Sequence, residues 1–160
     1  MVSLMACFQP RAILSLAAIC LLALLADCGG PMYPSVNGTW SLYAISTQLP
    51  SEPPQTMAGT MSSNGSSASA TLTFSNACFK GQKLTYSGSI GDENILKLTS
   101  NVYNNQIVFL TGTLSSDGSL LTQGSYTVSA NNTSQKICDT GDAGSLSGSR
   151  TSTTQVAQRE

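Results

Sequence analysis

The chain has no histidine, which removes Ser-His-Asp and Cys-His catalysis and the commonest zinc ligand sets together. The reactive groups that remain are five cysteines, eight carboxylates and many hydroxyls. No Ser-x-x-Lys occurs, so the serine–lysine route lacks its usual motif. Asp139-Thr140-Gly141-Asp142-Ala143-Gly144 sets two carboxylates among glycines, but not at the spacing of a cation loop, and reads as a solvated turn. Asp92-Glu93 falls in a tight hairpin, where nothing suggests the burial that tunes a carboxylate for acid–base work. The expectation is a non-enzymatic protein with no catalytic residue, no metal ligand and no cofactor.

The cysteines carry more. Arg11 precedes an apolar run of about 15 residues at 12–26, the length of a signal-peptide core rather than the roughly 20 residues of a membrane span. An uncleaved short anchor is the alternative. Removal of a leader takes Cys7 and Cys20 with it and leaves Cys28, Cys78 and Cys138 in an oxidising compartment. An odd count asks which thiol is unbridged. Cys78 and Cys138 both lie within the folding region and form the natural disulfide pair, which leaves Cys28.

The stretch 20–30 (CLLALLADCGG) resembles the lipid-attachment segment of bacterial lipoproteins, an apolar run ending in a cysteine followed by glycines. Asp27 departs from the small neutral residue expected before that cysteine. Leu24 departs equally from the small residue that ordinary cleavage after Ala26 would want. Cysteine parity decides for lipid, since it gives Cys28 a fate other than a free thiol. The resemblance implies Cys28 as an acylated (palmitate-type) N-terminus. It further implies export by the general secretory route and a membrane anchor in the bacterial cell envelope, at the outer membrane. The expected organisation is a signal peptide at 1–27, a linker at 28–37, a β-barrel domain at 38–150 and a flexible tail at 151–160.

The elements that position these residues are strands. Only 9% of residues are charged and the net charge is −1, so no nucleic-acid footprint exists. Ser, Thr, Gly and Asn alternate with β-branched and aromatic residues, and no helical period follows residue 30. Eight strand-like runs are predicted: 38–46, 56–62, 67–74, 82–90, 95–102, 106–114, 119–129 and 144–150. The stretch 59–66 (GTMSSNGS) recurs as 112–119 (GTLSSDGS), each a strand entering an Asn-Gly or Asp-Gly hairpin turn. In an up-and-down meander the long connections, after the first and seventh strands, and the intermediate one after the third fall at one end. That open end holds both Cys78 and Cys138, and closing a loop of about 60 residues contributes roughly 4 kcal/mol.

Strand parity sets an inner face with Trp40, Leu42, Ala44, Met57, Met61, Ala70, Leu72, Phe74, Leu84, Tyr86 and Ile90. It continues with Leu96, Leu98, Val102, Val108, Leu110, Leu114, Tyr126, Val128 and Leu146. The fold class is all-β, an antiparallel barrel of eight strands that leaves no edge, with a two-sheet sandwich as the alternative. Gly38-Thr39-Trp40 at the start of the first strand resembles the calycins, the lipocalin and avidin group. That resemblance implies a tryptophan plugging the closed end, with a late arginine, here Arg150, packed across it. The chain is also similar to small bacterial lipoproteins with Gly-Thr-Trp and Gly-Thr-Leu-type strands. Other lipocalin signatures are absent.

Inner-face glycines Gly59, Gly88, Gly112, Gly124 and Gly148 leave two readings, a hollow interior or relief of strain in a tightly coiled barrel. A hollow barrel would bind a small apolar ligand in a mouth lined by Met57, Phe74, Leu84, Tyr86, Val102, Val108, Tyr126 and Val128. A filled one would be a structural or protein-interaction module that meets envelope components through its open-end loops.

Overall fold

The computed structural model describes residues 32–48, 51, 53–75, 79, 81–129 and 141–152. Its strands are β1 (Gly38–Ser46), β2 (Gln55–Asn64), β3 (Ser67–Phe74), β4 (Lys83–Ile90), β5 (Ile95–Ser100), β6 (Val108–Leu114), β7 (Leu120–Val128) and β8 (Asp142–Ser152). Each pairs antiparallel with the next, and β1 also pairs β8, so the meander closes into a barrel of eight strands. The sandwich alternative is excluded by that closure. The tight connections 65–66, 91–94 and 115–119 fall at one end, and 47–54, 75–82, 101–107 and 129–141 at the other.

Alternation puts side chains of all strands into one core that contains Trp40, Leu42, Met57, Leu72, Phe74, Leu84, Ile90, Leu96, Tyr126 and Leu146. The glycines fit this tightness. A Cβ at Gly59 would sit 1.9 Å from the Thr71 carbonyl oxygen, and one at Gly88 would sit 1.8 Å from that of Lys97. At both positions the neighbouring backbone occupies the space of a side chain, which is how strands coil in a narrow barrel.

Three expectations need correction. Val102 is not an inner-face residue but 61% exposed. β5 stops at Ser100, and the chain turns through Asn104 and Asn105, both left-handed (φ 49° and 59°), inside a Tyr103–Gln106 bridge. Ser100 takes the last inward place, its hydroxyl accepting from the Val108 N–H at 2.9 Å and donating to the Asn101 carbonyl. In β7 the register shifts between Leu121 and Gly124, with Gln123 at φ 48°. This bulge inverts parity, so Leu121 joins the core at 1% exposure. Finally, residues 33–37 belong with the barrel rather than with a linker. Val36 is fully buried, its N–H donates to Ser63 Oγ, and its carbonyl accepts the Trp40 indole N–H at 2.8 Å.

Candidate functional site

The inward residues proposed as a ligand lining are brought together. Met57, Phe74, Leu84, Tyr86, Val108, Tyr126 and Val128 are all buried at 6% exposure or less, and Val102 is outside the set. At the open end Phe79, from the β3–β4 connection, is 2% exposed, and its ring lies 5.0 Å from Phe74 and 6.0 Å from Tyr103. Aromatic contact therefore fills part of the predicted mouth.

Beside it Asp142, at the start of β8, gathers donors from three other strands. Tyr126 Oη donates to Oδ2 at 2.5 Å, Ser46 Oγ to Oδ1 at 2.6 Å and Gln55 Nε2 to Oδ2 at 3.3 Å, while the Ala143 N–H donates to Oδ1 at 2.8 Å. A carboxylate has about four acceptor sites, so this one is a fixed anchor rather than a base with a free lone pair. Burial, then the hydrogen bond to Asp142 and its charge, push the Tyr126 phenol well above its ordinary pKa. Tyr86 differs. It lies between Ala70 and Ser100, and its buried hydroxyl has no hydrogen-bond partner among the described residues. Burial alone raises its pKa.

The closed end is held by backbone contacts. Arg150 stands opposite Trp40 in the β1–β8 register, and its guanidinium donates to the carbonyls of Ser35 (2.9 Å), Asn37 (3.4 Å) and Asp117 (3.2 Å). It thus fastens residues 33–37 and the β6–β7 turn to the barrel. Asp117 closes that turn by accepting from Ser115 and Ser119, which hold its carboxyl at a pKa of about 2.

One groove lies on the outer wall rather than inside. It has a volume of about 310 Å³ and is lined by outward Lys97, Thr99, Phe109, Thr111, Ser125 and Thr127 of β5, β6 and β7. Sequence reasoning missed it, although Phe109 between inward Val108 and Leu110 was an available signal. Cys28, Cys78, Cys138 and Asp139 lie outside the described residues, so the acylation and disulfide assignments are not placed. Among the described residues no group of three Cys, Asp or Glu side chains is close enough to hold a metal ion. No family model, no curated protein and no solved structure matches the chain.

Proposed function

We propose that this is an exported, non-enzymatic envelope protein, lipid-anchored through Cys28 at the outer membrane, whose barrel is a packed scaffold acting as a structural or interaction module. The observation that carries the packed reading is the single core fed by all strands, with Val36 buried at the closed end and Phe79 at the open end. Eight-stranded barrels are just wide enough for side chains to fill. The calycin likeness goes no further here than an antiparallel barrel of eight strands. For the disulfide, the support is topological: Cys78 and Cys138 belong to connections that leave strands at the same end. The pair would brace the end that points away from the membrane, because β1 begins at the other.

A second reading, a small apolar ligand inside the barrel, is favoured by the buried Tyr86 hydroxyl without a described partner. Native mass spectrometry after gentle extraction, with a titration of the apolar fluorophore N-phenylnaphthylamine, separates the two. The packed scaffold gives the acylated mass alone and no fluorescence rise. A co-purified small molecule or saturable fluorescence would replace it with the ligand-binding reading.

A further inference from the structure

If the interior is filled, recognition falls to the surface. This inference rests on the proposed packed scaffold for where recognition occurs and on the proposed envelope location for the source of the ligand. The eight strands contain a single acidic residue, Asp142, which is turned to Tyr126 and Ser46 at the mouth. The wall therefore offers an anion no carboxylate to repel it.

Across β5–β7 the pairing builds two adjacent rows, Thr99–Phe109–Thr127 and Lys97–Thr111–Ser125. Phe109 is 46% exposed at the centre of the first row. Lys97 ends the second. These rows line the 310 Å³ groove, near the lower bound of roughly 300 Å³ for small-molecule clefts.

The chemistry of the rows restricts what can lie there. A purely apolar partner would strip water from four hydroxyls without replacing their hydrogen bonds, which costs free energy at each one. A fully polar partner would leave the Phe109 ring uncovered. A sugar ring has both a C–H face for the aromatic ring and a rim of hydroxyls for Thr and Ser. An acidic substituent on that ring would meet Lys97. Because the six positions sit on paired strands, the arrangement is set before a ligand arrives. We propose that this groove binds one acidic saccharide unit of an envelope polysaccharide.

The test is isothermal titration calorimetry of the full chain with tetragalacturonate and with neutral cellotetraose. Wild type is expected to prefer the acidic tetramer by about threefold, the size of an exposed charge contact. Lys97→Gln, or about 0.5 M salt, should abolish the preference. Phe109→Ala should weaken both sugars by about tenfold, as loss of a central aromatic anchor does. Phe109→Tyr should retain binding and shows that the site, rather than folding, is being read. Absence of binding to either sugar, equal binding by Phe109→Ala, or displacement of the sugar by phosphatidylcholine vesicles overturns the proposal. A hollow barrel would instead show as fluorophore binding in both wild type and Phe109→Ala, so the two readings fail separately.

Discussion

Tyr86 and Tyr126 are both buried phenols, yet one has a carboxylate partner and the other has none among the described residues. In both, the folded-state pKa is raised, so folding favours the neutral phenol. The associated stability is present below the unfolded tyrosine value of about 10 and is lost as pH rises above it. Urea unfolding is therefore expected to show stability falling above about pH 10. Tyr86→Phe should make that fall shallower and leave neutral-pH stability unchanged or slightly higher, because it removes an unpartnered buried hydroxyl. A loss of about 1 kcal/mol at neutral pH would show that the hydroxyl has a partner, and would favour an occupied interior.

At the scale of the strands, glycine placement governs closure. Gly59 lies between Trp40 and Leu72 in the sheet, and Gly148 between Leu42 and Leu121. Small residues beside large ones let the core layers interdigitate. Gly59→Ala forces a Cβ against the β3 backbone, which cannot move as a side chain can, and should cost about 1–3 kcal/mol. Thermal unfolding measures it; an unchanged midpoint would show that β2 and β3 can separate there. Strand positions and parity were legible because alternation and Asn-Gly or Asp-Gly turns act locally. β1 and β3 begin and end at the expected residues. The bulge at Gln123 and the inward turn of Ser100 were not legible, since each depends on how a strand meets its partner. Asp142 meets Ser46 and Gln55 only because strands distant in sequence are set side by side, and Val36 and Phe79 combine near contacts, to Trp40 and Phe74, with distant ones to Ser63 and Tyr103.

For the whole molecule, anchoring is a prediction from sequence. Cys28→Ser is expected to move the protein from the membrane fraction to the soluble fraction, read by immunoblot; full retention would overturn lipid attachment. By itself the sequence determined the strand count, the meander and the inward face outside the β7 bulge and the end of β5, because turn chemistry and two-residue alternation are written residue by residue. It also determined the absence of histidine chemistry. Only the tertiary structure decided that β8 closes on β1, that Arg150 fastens residues 33–37 beneath the barrel, and that a groove forms around Phe109. Those features arise when strands remote in sequence are set side by side, and the register between them fixes which side chains meet.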